Sequence, residues 1–593
     1  MKGKKLQMGL ARLLDTIMRY PLTIAFLIFI TIVNSFMIEN NISDNLYSKL
    51  IFTFAIGTLF SLVAQALYER FFENKMHHLL LMGSAIVLTA VYYLIIFQLS
   101  ELNQEATLRS FVGLFALLIA FLWIPAIKSK VTFNQSFLAV FRAFFLALVY
   151  FVILFLGVSL IFMAIDRLIK PLDGDTYSHA ANLIFCLGAT TYLISLLPFY
   201  SKEVENKEEE ENIIKNKSVI TTTKFLETLV SYVIIPVTAV FTLVLLFYII
   251  MNITGSFWSD NLMEPLLVSY SITVIIVYLL ASNISNAFAN IFRRIFPKVL
   301  VPIVLFQTIA STLKIQDMGI TQGRYYAILF GIFATIAGFL FCFLPIRKNG
   351  IIAPILIILA LISIIPPIDA LTISRKNQIG RLKNTLIKNN MLENDTITPN
   401  NAISEEDQMI IINSMQYLDS MGYSEDIDWL SAYAESNNFE ATFGFPRYIS
   451  PGKYLRNIFL RREPEAIPIT GYDVLLRASF YYNLEEIELG SFSKDEVTYR
   501  LVDKAMSAQE RYLVLLDQDN TELLRFDLQQ IYDRAIDKGE DYRIITLEEA
   551  VFTEENDKAK ITVIADHISV DKNMDNTIEN QQADVNILID IKN

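Results

Sequence analysis

Cysteine is nearly absent: Cys186 and Cys342 are the only two in 593 residues, and both fall inside strongly apolar runs. Residues 373–593 hold none, so no disulfide can staple that region, and cysteine usage says nothing about its redox compartment. Histidine is almost as scarce. His77, His78, His179 and His567 are the complete set, and the adjacent pair His77-His78 beside Lys75 lacks the further ligands that a zinc site needs. Neither a glycine-rich phosphate loop nor a nucleophile elbow occurs. Charge is sparse within the apolar runs, which argues against the mid-membrane titratable group of a proton-coupled pump. The net charge of −12 comes from 49 Lys and Arg against 61 Asp and Glu, a balance unlike that of a nucleic-acid binder. No metal or cofactor is expected and no catalytic residue stands out, so enzyme activity stays open, with the residues leaning against it.

What the chain does have is apolar length. It is 53% hydrophobic with a mean hydropathy of +0.43. Its first part alternates apolar runs of spanning length with short charged loops, whereas residues 373–593 contain no such run. In lipid the backbone must satisfy its own hydrogen bonds, so runs of about 18 or more apolar residues span as helices. The pattern predicts helices at Pro21–Ile38, Tyr47–Leu67, Leu79–Gln98, Leu108–Ile127, Leu138–Ile165 and Asn182–Tyr200. It continues with Thr228–Ile253, Leu266–Ala281, Val299–Leu313, Tyr325–Leu344 and Ile351–Leu371. The ninth of these eleven is short and contains Pro302 and Gln307, so a tilted span, a re-entrant segment and a buried half-helix all stay open.

Charge sets the expected orientation. Residues 1–372 carry 26 Lys and Arg against 21 Asp and Glu, and residues 373–593 carry 23 against 40. With the basic N-terminus (Lys2, Lys4, Lys5, Arg12, Arg19) inside, the inner loops collect Arg70, Lys75, Lys128, Lys130, Lys202, Lys207, Lys215, Lys217, Arg293, Arg294, Lys298, Arg347 and Lys348. This is the bias of the positive-inside rule. The first apolar run lacks a small-residue cleavage site and reads as a retained helix. The expected fold is an all-α polytopic transmembrane helical bundle of about 11 spans with a C-terminal soluble α+β domain containing an antiparallel sheet. Residues 1–372 form the helical domain, as two sub-bundles (1–200 and 225–372) joined by the charged loop 201–224. Residues 373–593 form the other domain, expected outside the cytoplasm.

That tail opens with a basic amphipathic stretch, Arg375 to Leu392. Ser404 with Asp407 three residues on reads as a helix start, Ile411, Met415 and Leu418 line one face, and Gly422 ends it. Farther on, Arg511–Asp517 and Thr521–Leu528 read as a hairpin around Gln518-Asp519-Asn520. Ile561–Val570 alternates loosely, and Ala583, Val585, Ile587, Ile589 and Ile591 alternate cleanly.

Two local patterns carry a resemblance. One is Gly319-Ile320-Thr321-Gln322-Gly323-Arg324-Tyr325-Tyr326, leading into a span. The other is Ser374-Arg375-Lys376-Asn377-Gln378-Ile379-Gly380-Arg381-Leu382, just after the last one. With the Arg-Tyr-Pro-Leu entry at Arg19 to Leu22, they resemble the bacterial multipass family known as "domain of unknown function 4153". The resemblance implies a membrane location over nearly the whole chain and no established activity. On physical grounds Thr321 can cap the helix after it, with Gly319 supplying a permissive turn. Arg324 and Tyr325 suit headgroup depth, and Arg375 and Arg381 lie near the same surface. Thr321, Arg324, Tyr325, Arg375 and Arg381 are therefore the candidate headgroup contacts, weighed against a plain interfacial anchor.

The expected function is that of a multipass membrane protein of the bacterial inner membrane with its N-terminus cytoplasmic. Its partners are the lipid bilayer and an envelope protein bound by the external domain, which senses, scaffolds or docks; no nucleic acid is involved. One alternative is a transporter or flippase of a lipid or neutral solute, with a polar path through Gln65, Thr190 and Gln307. The other is a membrane glycosyltransferase using a lipid-linked sugar, with Glu39 and Asp44 of the first outer loop as its carboxylates.

Overall fold

The computed structural model describes residues 14–42, 45–199, 223–252, 263–431, 433, 438–447, 456–481, 486–507, 510–538, 542–572 and 578–592. The basic residues Lys2 to Arg12, Asp44, most of the Glu/Lys-rich loop 201–224 and the Trp258-Ser259-Asp260 stretch lie outside them. The chain divides into two compact units, Met1–Phe445 and Pro446–Asn593.

The first unit is helical. Its segments are α1 (Pro21–Asn40), α2 (Asn45–Phe71), α3 (Lys75–Phe97), α4 (Gln104–Trp123) and α5 (Phe133–Leu168). The next, α6, runs through Gly174–Ala181, a π-helical Asn182–Ala189 and Thr190–Ser195, and α7 through Lys224–Leu229, a π-helical Val230–Ile234 and Ile235–Asn252. Then come α8 (Met263–Ala281), α9 (Ala287–Leu313), α10 (Gln322–Phe343) and α11 (Ile352–Ile362). Among the described residues nine of these, all but α6 and α11, are long and apolar enough to cross a bilayer. Their outer faces stay apolar because hydrocarbon, not water, is the solvent there. On α5 alone Ile153, Leu160 and Ile161 are exposed.

The eleven segments fall where the sequence expects them, with the main changes of boundary in three: α6, which starts at Gly174 rather than Asn182, α9 and α11. The ninth is no half-helix: α9 has 27 residues, about 40 Å at 1.5 Å per residue. Its first half carries Arg293, Arg294 and Lys298 and was hidden by those charges, while Pro297 and Pro302 are accommodated inside. The last helix stops at Ile362, before Pro366-Pro367, which cannot supply backbone donors. A separate helix, α12 (Ala370–Lys388), starts where the Asp369 side chain accepts from the Leu371 and Thr372 N–H groups.

The connections gather at two ends. At one, Arg19 donates to both carboxylate oxygens of Glu69 at 2.7 and 2.6 Å, and to the carbonyls of Leu197 and Pro198. Gln65 donates to Glu69 at 2.9 Å and meets His78 at 3.0 Å. Arg70 reaches the Ile127 carbonyl and Asn134 reaches Ser282. The α2–α3, α4–α5 and α8–α9 connections, the entry to α1 and the exit from α6 thus share this end. At the other, Lys49 reaches the Leu99 carbonyl, His179 meets Glu39, and Arg109 pairs with Asp369. The α1–α2, α3–α4, α5–α6 and α9–α10 connections and the exit from α11 lie there. Eleven alternating segments produce this sorting.

A helical cap completes the unit: α12, the short ladder of β1 (Leu392–Glu393) with β2 (Thr396–Ile397), and α13 (Glu405–Ser420). The Ser404 hydroxyl accepts from the Asp407 N–H, and Ile411, Met415 and Leu418 are fully buried, as the spacing predicts. Gly422 follows with φ +70°. The Asp407 carboxylate turns to α12, accepting from Lys388 at 2.9 Å and Asn389 at 3.0 Å.

The second unit holds two sheets. The larger is ordered β4 (Val474–Phe480), β12 (Ile578–Ile591), β11 (Ala559–Lys572), β3 (Arg456–Arg462) and β9 (Tyr542–Ile545), with β10 (Val551–Glu555) also on β11. All pairings there are antiparallel except β3 with β9. The smaller is the antiparallel meander β5 (Ile487–Lys494), β6 (Val497–Ser507), β7 (Glu510–Leu516) and β8 (Glu522–Asp527). The expected hairpin is β7–β8, turning at Asn520 with φ +61°. The clean alternation in β12 is its inner face: Ala583, Val585, Ile587, Ile589 and Ile591 join one core with Leu513, Leu515 and Phe526 of the smaller sheet. A helix, α14 (Gln529–Lys538), adds Ile531, Tyr532 and Ala535 to that core.

Two outcomes follow for stability. Glu69→Ala leaves the Arg19 guanidinium without its carboxylate, and breaking a buried pair costs about 3–5 kcal/mol. Thermal unfolding of the full chain in micelles should show a clear fall in midpoint, whereas Glu39→Ala, at an exposed carboxylate, changes it little. The second outcome concerns pH. Burial works to raise the Asp407 carboxyl, but the hydrogen bonds from Lys388 and Asn389 and the Lys388 charge outweigh it and hold it below the ordinary range. Its stabilisation is therefore present above the unfolded value of about 3.9 and is lost as pH falls through the lower folded value. Protection factors in α12 and α13, taken relative to intrinsic exchange at each pH, should fall below about pH 4 in the wild type, with the step reduced in Asp407→Asn.

Candidate functional site

The two sequence patterns that carry the family resemblance meet at one end of the bundle. The chain turns between α9 and α10 at Gly319, with φ +72°. A β-carbon there would lie 2.6 Å from Arg381 Cδ and from Gln378 Nε2, so both backbone conformation and space demand glycine. Gln378, fully buried on α12, donates to the Met318 and Ile320 carbonyls, each at 3.1 Å. Asn377 accepts from the Ile320 N–H at 2.8 Å. Arg381 donates to the Gln316 carbonyl at 2.8 Å. From the other side, Arg324 on the first turn of α10 is buried and donates to the Gly319 carbonyl at 2.8 Å. The turn is thus gripped between α10 and α12, its carbonyls satisfied by side chains as burial requires.

The expected contacts fall as follows. Thr321 caps α10, accepting from the Arg324 N–H. Tyr325 donates its hydroxyl to the Ile368 carbonyl at 2.8 Å. Arg375 leaves this cluster: it pairs with Asp426 at 3.1 Å and lies over the Tyr423 ring at 4.6 Å. Six residues along a helix turn Arg375 and Arg381 to different faces, so the structure does not bring them together.

Tyr423 links this cluster to another. Its hydroxyl donates to Glu105 at 3.1 Å, Glu105 pairs with Arg109 at 2.7 Å, and Arg109 pairs with the fully buried Asp369 at 3.1 Å. Burial and the nearby Glu105 carboxylate push the Tyr423 hydroxyl well above its ordinary pKa, so it stays a donor at any physiological pH. Burial likewise pushes Tyr417 up to about 12. Sequence reasoning missed this chain of contacts, whose members are up to 318 residues apart; of the α12 motif, Arg375 meets it, over the Tyr423 ring.

Beside the turn lies a cavity of about 600 Å³. Val112 and Phe115 of α4, Val268 of α8, Phe330 and Phe333 of α10, and Leu356 and Leu359 of α11 give it an apolar wall. Thr321, Arg324, Tyr326, Ser363 and Glu264 supply the polar one. Glu264, on the first turn of α8, accepts from Ser311 at 2.7 Å. Nothing in the sequence pattern singled it out.

The residues considered for other chemistries lie apart. Gln65 bonds Glu69 and His78, Thr190 donates to the Phe185 carbonyl, and Gln307 donates to the Ala327 carbonyl. Each bonds within its own neighbourhood, Gln307 through its amide nitrogen only, its buried Oε1 meeting no partner among the described residues. Glu39 faces His179 at 3.2 Å, and Asp44 lies outside the described residues. Among the described residues no group of three His, Cys, Asp or Glu could hold a metal ion.

Among the described residues, nine long apolar helices with polar clamps at their ends mark a multipass membrane protein. The chain belongs to the family described as Domain of unknown function (DUF4153), whose model matches residues 22–400. No curated protein and no solved structure matches it.

The grip on the Gly319 turn is directly testable. Gly319→Ala meets both a left-handed backbone and side chains at 2.6 Å, a cost of about 1–3 kcal/mol. Gly380→Ala, inside α12 with nothing within 4 Å of the added carbon, should be neutral or stabilising by about 0.5–1 kcal/mol. Unfolding midpoints of the two purified variants check both signs.

Proposed function

We propose that this chain is a partner-binding protein of the bacterial envelope, whose helical unit sits in the inner membrane and holds the β domain outside the cytoplasm. Sidedness carries the reading. Arg70, Lys75, Lys128, Lys130, Arg293, Arg294, Lys298, Arg347 and Lys348 belong to connections at the Arg19–Glu69 end or to helix ends that lead into them. Glu39, Glu101 and Glu105 belong to the opposite end, from which α12 departs. Positive charge is retained on the cytoplasmic face, so the capped end faces outward. Between Phe445 and β3 no apolar run of spanning length intervenes, which keeps the β domain on the side of the cap.

That domain suits docking. It has its own core, and β4 ends its larger sheet, offering a ladder for an extended partner segment. Residues 446–593 carry 18 Lys and Arg against 29 Asp and Glu, a surface that favours a basic partner. Movement of a lipid or neutral solute is the second reading, and the cavity beside α10 is the observation that favours it. Reporter fusions after Ile591 decide the topology: an externally active reporter should work and a cytoplasmic one should be silent. The reverse result removes the envelope-partner reading.

A further inference from the structure

We propose that the cavity beside the Gly319 turn is a phospholipid site that takes an acyl chain and selects a zwitterionic headgroup, one pairing a phosphate with an ammonium. This stands apart from the docking role of the β domain. The volume of about 600 Å³ lies within the range of pockets that enclose small ligands. The lining is graded along the helices. Thr321, Arg324 and Glu264 lie on or next to the first turns of α10 and α8, whereas Phe330, Phe333 and Val268 lie one to three turns farther in. A polar rim at the helix ends and an apolar floor deeper in the bundle reproduce the polarity profile of one leaflet.

The rim carries both signs of charge, and each charge is held in place. The Arg324 guanidinium is fixed on the Gly319 carbonyl at 2.8 Å. The Glu264 carboxylate is fixed by the Ser311 hydroxyl at 2.7 Å. A phosphate is complementary to the arginine, but a headgroup that is only anionic also meets the glutamate. An ammonium on the same headgroup converts that repulsion into a charge-assisted hydrogen bond. A lipid is the occupant because hydrocarbon surrounds these helices and supplies chains at high local concentration. The chain would bury against Phe115, Phe330 and Leu356, and the guanidinium and carboxylate would orient the head.

The test uses the full chain in vesicles containing equal amounts of phosphatidylethanolamine and phosphatidylglycerol. Either lipid carries a photoactivatable group on its acyl chain, and labelled peptides are mapped by mass spectrometry. Phosphatidylethanolamine should label α10 and α11 about tenfold more than phosphatidylglycerol does, equivalent to about 1.4 kcal/mol. A β-carbon added at Gly323, which lines the cavity, meets nothing within 4 Å, so Gly323→Trp should fill the cavity and abolish that labelling with an unchanged unfolding midpoint. Val112→Trp fills it from α4 and serves if the first variant does not fold. Glu264→Gln should keep the labelling and erase the preference between headgroups. Labelling no stronger than on the exposed face of α5, equal labelling by both lipids in the wild type, or labelling that survives both tryptophan variants would overturn the proposal.

Discussion

Hydrocarbon offers no hydrogen-bond partner, and the rest of the helical unit follows from that constraint. Side chains that face lipid are mostly apolar, with hydroxyls such as those of Ser84 and Thr273 turned back to their own helix carbonyls. The charged groups that specify how helices associate are therefore displaced to the helix ends. There they are tied in pairs and chains rather than left to solvent. Arg19 and Glu69 close one end; the Gly319 turn, gripped by Gln378 and Arg324, closes the other. Between the ends, packing is by small and aromatic groups, as where Tyr278 stacks on Phe341 at 4.0 Å. A few hydroxyls and amides bond across helices, such as Thr23 with Ser61 and Asn182 with the Thr31 carbonyl.

The part of this architecture legible in the sequence is the part written in local periodicity. The apolar runs announce their helices, and β12 announces its inner face through Val585, Ile587 and Ile589. Ser404 and Asp407 mark the start of α13 because a cap is a contact over three residues. What stayed hidden is what depends on distance. The first half of α9 reads as a loop because Arg293, Arg294 and Lys298 interrupt its apolar pattern, yet Arg293 donates to the Ile284 carbonyl at 2.7 Å and the helix runs on. The strands β4 to β6 were missed because their alternation is broken: Leu475 is exposed on β4, and Leu501, Val502 and Asp503 are buried in a row on β6. Arg19 and Glu69 are 50 residues apart, and no local rule couples them.

The motif residues illustrate a different limit. Thr321, Arg324 and Arg381 stand out by type and spacing, and interfacial arginines next to a tyrosine suggest contact with headgroups. In the structure their first partners are protein carbonyls and N–H groups of one tight turn. A motif can therefore mark a junction between distant elements as readily as a ligand site. The cavity adjoining that junction draws on four helices, and its carboxylate, Glu264, comes from a helix that neither motif touches.

The stretch matched by the family ends at residue 400, inside the helical cap, whereas the compact unit continues to Phe445. Leu382 and Leu386 of α12 are fully buried, and Ile411, Met415 and Leu418 of α13 occupy the same layer. Severing the polypeptide at the family limit would unroof α12 and leave the Lys388 ammonium without Asp407. The smallest excisable form of the membrane unit ends after Phe445, not at residue 400.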